Sequence, residues 1–246
     1  MAINEAQKRA VKKYQDANYE FIKVRLNKGE KEKIKAKADA EAAKSAVEAA
    51  KNAAMEKKMA KQKAGLLSTE KKNEVLLAVA EGLVASANCI IAENKKDIEN
   101  GKAKGMSQGL LDRLLLDEKR IAGMASGLRQ LVEIDDPVGR VLDEFIRPNG
   151  LRIQKVSVPL GCVGIIYEAR PNVSSDAFGI AFKAGNAVIL KGGSDAINSN
   201  IAITNCIRET LTKNGVDENT ICLIESTDRA VTEEFMRLNG YVDVLI

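Results

Sequence analysis

The chain has 246 residues, of which 45% are hydrophobic and only 4% aromatic, so it can bury a sizeable core that must be largely aliphatic. No apolar stretch is long enough to cross a membrane, and the first residues lack the apolar segment of a signal peptide, so we expect a cytoplasmic protein without a membrane partner. The absence of histidine excludes Ser-His-Asp triads, Cys-His pairs and His-ligated zinc, and we predict no metal site.

The net charge of +4 is unevenly distributed along the chain. Residues 1–63 contain 17 Lys and Arg against 9 Asp and Glu, whereas the remaining residues contain 21 against 25. Within this basic segment, Asn18–Leu26 alternates like a short strand, and residues 36–63 are rich in Ala, Lys and Glu, which favours a solvated helix or a linker. Residues 1–63 are therefore predicted to form a separate basic, helical tail.

Residues 1–38 also resemble the first half of small ribbon-helix-helix repressors. In that fold the paired strands of a dimer enter the major groove of DNA with outward side chains, here Phe21, Lys23 and Arg25. The second helix and its glycine-containing turn are not evident in residues 40–63, and half a motif cannot build the dimer core. DNA binding is therefore kept only as an alternative function, beside a non-catalytic structural role.

Residues 68–135 carry the periodicity of four amphipathic helices. Ser68 is suited to cap the first of them and Asp117 to cap the last, and Gly101 is expected to end the second. The run of two aspartates before Pro137 is expected to close the last helix. The sequence thus predicts a helical subdomain ahead of the first sheet.

The pattern changes after this subdomain. Residues 138–159 are predicted to form a β-hairpin around a Pro148-Asn149-Gly150 turn. From residue 160 to residue 246, short apolar strands alternate with segments of helical spacing. This order indicates parallel βαβ units, so the predicted fold class is α/β, with an incomplete Rossmann-like parallel sheet.

Two blocks at strand ends carry the candidate ligand-binding residues. In Val158–Asn172 a strand enters a polar turn that opens a helix, and in Ala184–Ser194 a strand ends in a glycine-rich turn. Ligands of open α/β sheets bind at the carboxyl ends of strands. The glycines of the second turn allow close backbone approach, and its lysine and serine can bind a phosphate. This turn comprises Lys191, Gly192, Gly193 and Ser194.

Both blocks closely resemble the gamma-glutamyl phosphate reductases of the aldehyde dehydrogenase superfamily. The runs Gly-Ile-Ile-Tyr-Glu-Ala-Arg-Pro-Asn-Val and Gly-Asn-Ala-Val-Ile-Leu-Lys-Gly-Gly-Ser are distinctive for them, and the resemblance covers residues 68–246. Further matching segments are Met106, Leu111–Leu114, Asp136–Gly139 and Tyr241–Ile246. The resemblance implies an oxidoreductase of proline biosynthesis that reduces L-glutamyl 5-phosphate to glutamate-5-semialdehyde with NADPH.

The resemblance also implies roles for individual residues. Asn172 matches the asparagine whose side-chain amide stabilises the thiohemiacetal oxyanion. Lys191 matches the lysine that contacts the adenosine ribose region of NADP, and Ser194 is a candidate contact for the 2′-phosphate, so the glycine-rich turn is the predicted cofactor site. Arg170 and Asp176 are candidate substrate-binding residues or, alternatively, members of a structural salt bridge or helix cap.

The reaction of this family needs a catalytic cysteine, which lies in a second domain. The four cysteines of this chain are expected to be reduced core thiols, because they lie in apolar strands or on apolar helix faces. They are Cys89, Cys162, Cys206 and Cys222. We therefore expect residues 64–246 to be a truncated NADPH-binding domain that is inactive alone.

Two kinds of partner follow from this interpretation. The first is the small-molecule substrate, glutamyl phosphate. The second is a protein partner, for which two alternatives stay open. It is either another copy of the chain, because the resemblance implies a hairpin that adds to the sheet of a partner, or a separate chain that supplies the catalytic domain.

Overall fold

The computed structural model describes residues 64–246, and the strand, helix and tail predicted within residues 1–63 lie outside that range. Four helices come first, namely α1 (Thr69–Ala85), α2 (Ala87–Ala103), α3 (Gln108–Leu114) and α4 (Glu118–Glu133). The elements that follow are β1 (Val141–Ile146), β2 (Arg152–Val156), β3 (Cys162–Ile166), α5 (Val173–Lys183), β4 (Ala187–Lys191), α6 (Ile197–Lys213), β5 (Ile221–Leu223), α7 (Arg229–Met236) and β6 (Val244–Leu245). Within the described residues, four helices thus precede a hairpin and then alternating strands and helices, and the predicted α/β fold class is confirmed.

The two predicted helix caps are present. The Ser68 hydroxyl accepts a hydrogen bond from the backbone N–H of Lys71 at 3.2 Å, and the Asp117 carboxylate accepts one from the N–H of Arg120 at 2.7 Å. Both side chains therefore bind a backbone donor that the first turn of a helix cannot pair internally.

Gly101 does not end the second helix, so that prediction was wrong. Helix α2 continues through Gly101 to Ala103, and the left-handed residue after it is Gly105, with φ of +72°. A Cβ atom at Gly101 would lie 3.1 Å from the side chain of Leu111. The glycine therefore allows α3 to pack closely against α2, which a local pattern does not reveal.

The α/β unit contains a parallel sheet of four strands in the order β5-β4-β3-β6. Val163 of β3 lies opposite Val188 of β4 on one side and Val244 of β6 on the other. The chain runs outward from β3 to β5 and then returns to place β6 on the opposite side of β3. Strand order therefore reverses at β3, which is where ligands of such sheets bind.

The central strand β4 is buried on both faces of the sheet. Val188 and Leu190 belong to a core cluster that includes buried residues of α1, α4, α5 and α6, whereas Ile189 belongs to a second cluster with Phe235 of α7. This alternation follows the period of two of a strand. On the second face, a Cβ atom at Gly164 would lie 2.8 Å from the ring of Phe235, so the glycine lets α7 pack directly on the sheet.

Buried polar side chains of α2 fix the start of α6 and the loop between α3 and α4. Asn94 donates a hydrogen bond to the carbonyl of Leu114 at 2.8 Å and accepts one from the N–H of Leu116 at 2.8 Å. Asp97 accepts hydrogen bonds from the N–H and the hydroxyl of Ser199 at 2.8 and 2.6 Å. Because buried polar groups need partners, these contacts give the loop and the helix one defined position.

The hairpin of β1 and β2 is largely exposed on both faces. Val141, Leu142, Phe145, Ile146 and Val156 all have exposed side chains.

Within residues 64–246 no single helix is long and apolar enough to span a membrane. Only α1 and α2 taken together, with a bend of 64° between them, have the required length and composition, and both have buried faces.

Candidate functional site

The candidate site lies at the carboxyl ends of β3 and β4. The chain leaves β3 at Ile166 and passes through a turn to Asn172, which precedes the first residue of α5. The N–H of Tyr167 donates to the carbonyl of Lys191 at 3.1 Å, so the two strand ends are held side by side. Both blocks of sequence that were predicted to bind ligands therefore lie at the same edge of the sheet.

A chain of hydrogen bonds connects the first turn to α5 and α6. The Tyr167 hydroxyl and the Ser174 hydroxyl lie 2.7 Å apart, and the Ser174 hydroxyl also donates to Asn200 Oδ1 at 3.2 Å. Burial raises the pKa of Tyr167 to about 12, although the hydrogen bond with Ser174 acts in the opposite direction. The phenol therefore stays neutral and anchors the turn. None of these three residues was predicted as a site residue, because nothing local marks their pairing.

Lys191 begins the glycine-rich turn and is only 6% exposed. Its ammonium group donates to the carbonyl of Gly192 at 3.1 Å and has no carboxylate partner among residues 64–246. Burial lowers the pKa of Lys191 below its ordinary value. This buried cation with unused donors is suited to bind a polar or anionic ligand group.

The two glycines of the turn allow close packing against the neighbouring turn. A Cβ atom at Gly192 would overlap the side-chain amide of Asn200, and one at Gly193 would lie 3.0 Å from the backbone nitrogen of Ala169. Ser194 follows as an exposed residue at the start of a short 3-10 helix, Ser194–Ala196. The conformation of the turn thus depends on residues without side chains at both positions.

Asn172, Asp176 and Arg170 line one cavity of about 430 Å³. The side-chain amide of Asn172 donates to Asp176 at 3.1 Å, and Asn172 forms no cap on α5 through its side chain. Burial raises the pKa of Asp176, and the hydrogen bond from Asn172 only partly offsets this. Asp176 forms no salt bridge within residues 64–246, and Arg170 is exposed toward solvent. The structure thus brings these three predicted residues together, whereas the Lys191 turn does not line this cavity.

The opposite wall of the cavity consists of residues that the sequence did not mark as site residues. It is formed by α3, by the start of α4 and by the loop between them, and it includes Asp112, Arg113, Leu115, Leu116, Arg120, Gly123 and Met124. Arg120 forms a salt bridge with Asp112 at 3.0 Å and donates to the carbonyl of Leu115 at 2.7 Å. The matching segment Leu111–Leu114 was the sole sequence signal for this wall.

No cysteine lines this cavity, although all four cysteines of the sequence lie within the described range. Cys162 and Cys206 are buried as predicted, and burial raises the pKa of Cys206. Cys222 is half-buried at β5, whereas Cys89 is exposed, so its predicted core position was wrong. Cys89 lies at the rim of a second cavity, between α2 and α6, rather than on the buried face of α2. Within residues 64–246, no group of three or more Cys, Asp or Glu side chains is arranged to hold a metal ion.

Comparisons with known proteins agree with this arrangement of strands and turns. A sequence profile of the aldehyde dehydrogenase family matches residues 15–244. The chain belongs to the aldehyde dehydrogenase family. The match includes all the helices of residues 64–246, the hairpin, and the parallel sheet up to Val244.

Within the aldehyde dehydrogenase family, the chain is similar to gamma-glutamyl phosphate reductases. The enzyme of that name from Clostridium botulinum (strain Eklund 17B / Type B) is 54% identical over 179 residues, which are 73% of this chain and 43% of the relative. The crystal structure of the gamma-glutamyl phosphate reductase of Thermotoga maritima is 39% identical, with a TM-score of 0.77 over 79% of this chain and 47% of that one. The chain thus spans a little under half the length of these relatives.

A more distant structure shows the shared fold alone. It is the glyceraldehyde-3-phosphate dehydrogenase GapN of Methanocaldococcus jannaschii in complex with NADP, which is 18% identical, with a TM-score of 0.62 over 81% of this chain and 41% of that one.

Proposed function

We propose that this chain forms the cofactor-binding and oxyanion-stabilising part of an enzyme that reduces L-glutamyl 5-phosphate to glutamate-5-semialdehyde with NADPH, a reaction of proline biosynthesis. The observation that carries the proposal is the cavity at the carboxyl end of β3, which Asn172 lines together with Arg170 and Asp176. The 54% identity to a gamma-glutamyl phosphate reductase supports the choice of substrate.

The residues of the glycine-rich turn fit an NADPH or NADP molecule. Lys191 presents a buried ammonium group with one backbone acceptor, so it retains donors for the ribose region of the cofactor. Ser194 is exposed beside it and is the proposed contact for the 2′-phosphate. When bound, the cofactor supplies the hydride that reduces the acyl group, while the role of this chain is to hold and orient it.

Asn172 is the proposed donor to the oxyanion. Its side-chain amide has two N–H groups, and one of them donates to Asp176 at 3.1 Å. That bond fixes the plane of the amide, which leaves the second N–H as the donor to the oxyanion of the substrate. A donor that is already oriented stabilises developing negative charge without reorganisation during the reaction.

The acyl transfer itself needs a thiolate nucleophile, and none of the four cysteines lines the cavity. We therefore propose that the 246-residue chain is inactive alone. Assay of the purified chain with glutamate-5-semialdehyde, phosphate and NADP is expected to give no NADPH. Sustained NADPH formation under these conditions would refute the inactivity and leave the substrate assignment intact.

The substrate assignment is tested in a full-length enzyme. The portion of the Clostridium botulinum relative that matches this chain is replaced with residues of this chain, and formation of NADPH is followed in the same assay. The chimera is expected to be active, and Asn172→Ala is expected to lower kcat by roughly 10²- to 10³-fold, as for loss of one oxyanion donor. The exposed Asn88→Ala, outside the cavity, is the control and should leave kcat unchanged. Failure of a folded chimera to use this substrate would contradict the assignment.

A protein partner is proposed from the hairpin. Its apolar side chains are exposed, and its outer strand edges pair with no other strand among residues 64–246. These features support pairing with another copy of the chain or with a chain that supplies the catalytic domain. The alternative of a DNA-binding module concerns residues outside the described range. The family match includes most of that segment, and the comparisons do not favour the alternative.

A further inference from the structure

Two arginines of the cavity have no partner among the residues that the structure describes. Arg113 at α3 and Arg170 in the turn after β3 both line it, and neither guanidinium group forms a hydrogen bond or salt bridge with any residue from 64 to 246. Arg120, on the same wall, differs because its guanidinium group is bound to the carboxylate of Asp112 and to the carbonyl of Leu115. The cavity therefore contains one arginine with a structural role and two with free donors.

Arg113 lies in a segment that is held from two sides. The Asn94 amide binds the backbone of Leu114 and Leu116 from α2, and Arg120 binds the backbone of Asp112 and Leu115 from α4. The backbone that carries Arg113 is thereby fixed before any ligand arrives. A rigid attachment lowers the entropic cost of binding through that side chain.

The charge of the cavity is not balanced internally. It contains three guanidinium groups and two carboxyl groups, one of which, on Asp112, is paired with Arg120. The other, on Asp176, is hydrogen-bonded to Asn172 rather than to an arginine. The two guanidinium groups without a partner among residues 64–246 therefore give the cavity an excess of positive charge and several unused planar N–H donors, which suit carboxylate or phosphate oxygens.

We propose that Arg113 and Arg170 together bind an anionic oxygen group of the ligand, which is the chemistry shared by a carboxylate and a phosphate. The inference rests on the proposed function only in naming the source of that group. Glutamyl phosphate carries a carboxylate at one end and a phosphate at the other. With Asn172 at the reacting acyl group, the arginine pair fixes the direction in which the substrate enters the cavity.

Binding to the 246-residue chain at low ionic strength tests the proposal, with two probes that separate the sources. L-Glutamine has the α-carboxylate and a neutral side-chain amide, whereas inorganic phosphate represents the other end. Both affinities are measured by NMR titration. For the probe that occupies the site, Arg113→Gln and Arg170→Gln are each expected to weaken binding by about tenfold or more, and added salt should weaken binding to the unsubstituted chain. Arg129→Gln, an exposed arginine of α4 outside the cavity, is the matched control.

The outcomes are distinguishable. If Arg113→Gln and Arg170→Gln lose affinity for L-glutamine alone, the carboxylate is the ligand group. If they lose affinity for phosphate alone, the phosphate is the ligand group. Arg113→Lys should restore only part of the affinity, since lysine keeps the charge but loses the planar pair of donors. The proposal is overturned if neither probe binds the unsubstituted chain. It is also overturned if Arg113→Gln and Arg170→Gln both bind the probes as tightly as the unsubstituted chain does.

Failure of the proposed reductase function and failure of the anion site give different results. A chimera without reductase activity, combined with probe binding that depends on Arg113 and Arg170, would leave the anion site intact and remove the assigned substrate. If the chimera is active and neither arginine substitution changes its KM, the reductase function is supported and the anion site is refuted.

Discussion

The replacement of Asp136 by asparagine is expected to destabilise the fold strongly. Asp136 follows α4 and forms a buried ion pair with Lys72 of α1. Its carboxylate also accepts hydrogen bonds from the hydroxyl of Thr69 at 2.7 Å and from the N–H of Val138 at 2.9 Å. This single carboxylate therefore joins the start of α1, the end of α4 and the base of the hairpin. The Asp136→Asn substitution removes the charge while it keeps nearly the same shape.

The magnitude follows from the burial of the two partners. The side chain of Lys72 is 2% exposed and that of Asp136 is 11% exposed, so the substitution leaves an ammonium group in the core without its counter-charge. Loss of one partner of a buried ion pair costs about 3–5 kcal/mol, and we expect the lower end because Asp136 retains some contact with solvent. The Lys72 ammonium group keeps one hydrogen bond, to the carbonyl of Lys183 at 3.2 Å, which does not replace the charge.

Urea unfolding of the 246-residue chain measures this loss as a change in the free energy of unfolding at unchanged m-value. The control is Glu74→Gln, because the Lys71–Glu74 pair is exposed and its loss should cost less than about 1 kcal/mol. A loss below about 1 kcal/mol in Asp136→Asn, equal to the control, would refute the assignment of Asp136 as a buried counter-charge.

The same pair predicts a dependence on pH. Burial raises the pKa of Asp136, but hydrogen bonds from Lys72, Val138 and Thr69 outweigh burial and hold the pKa below its ordinary value. The stabilisation is therefore complete above the unfolded pKa of about 3.9 and is lost as pH falls through the lower pKa of the folded state. The difference between the native chain and Asp136→Asn should shrink below about pH 4; a difference that grew on acidification would contradict this sign.

Three further predictions concern the strand ends and the thiols. Gly192→Ala should destabilise the fold by about 1–3 kcal/mol in urea unfolding, since the new methyl group overlaps the amide of Asn200; a stability equal to the native value would contradict this packing. In an ultraviolet titration of the folded chain, Tyr167→Phe should remove a tyrosine ionisation near pH 12. Loss of an ionisation near pH 10 instead would show that the phenol is not buried. Cys89→Ser should abolish the fast reaction of the folded chain with a thiol reagent, whereas Cys206→Ser should not, and the reverse order would show that their burial is misassigned.

The alternation of strands and helices after residue 160 was predictable because it depends on local pattern. Each strand has a short apolar run, and each helix has apolar residues at helical spacing, so the βαβ order follows without knowledge of contacts. Ser68 and Asp117 were predictable for the same reason, since a cap acts within its own first turn.

The buried polar contacts were not predictable, because their partners are far apart in the sequence. Asn94 and Ser199 are 105 residues apart and hydrogen-bond at 3.0 Å, and no local pattern relates them. The prediction for Gly101 was wrong for a related reason. Helix α2 continues through Gly101, and the glycine allows α3 to pack closely against α2. The prediction for Cys89 was wrong because Cys89 lies beside the buried face of α2, where it borders a surface cavity.

The candidate site was predictable in part. Arg170, Asn172 and Asp176 lie in one local turn and the helix it enters, so their meeting in one cavity follows from the strand end that precedes them. The contribution of Arg113 depends on the packing of the helical subdomain over that strand end, which the sequence does not encode locally. The link of Tyr167 to Asn200 likewise needs the three-dimensional arrangement.

A titration of NADPH against the 246-residue chain tests the central claim most directly, namely that the turn after β4 binds the cofactor. Saturable binding is expected, and Lys191→Met should weaken it by about tenfold or more, since methionine keeps the buried volume but removes the ammonium donors. NADH should bind more weakly than NADPH if Ser194 contacts the 2′-phosphate. Absence of saturable binding by a folded chain, or equal binding by Lys191→Met, would contradict the account.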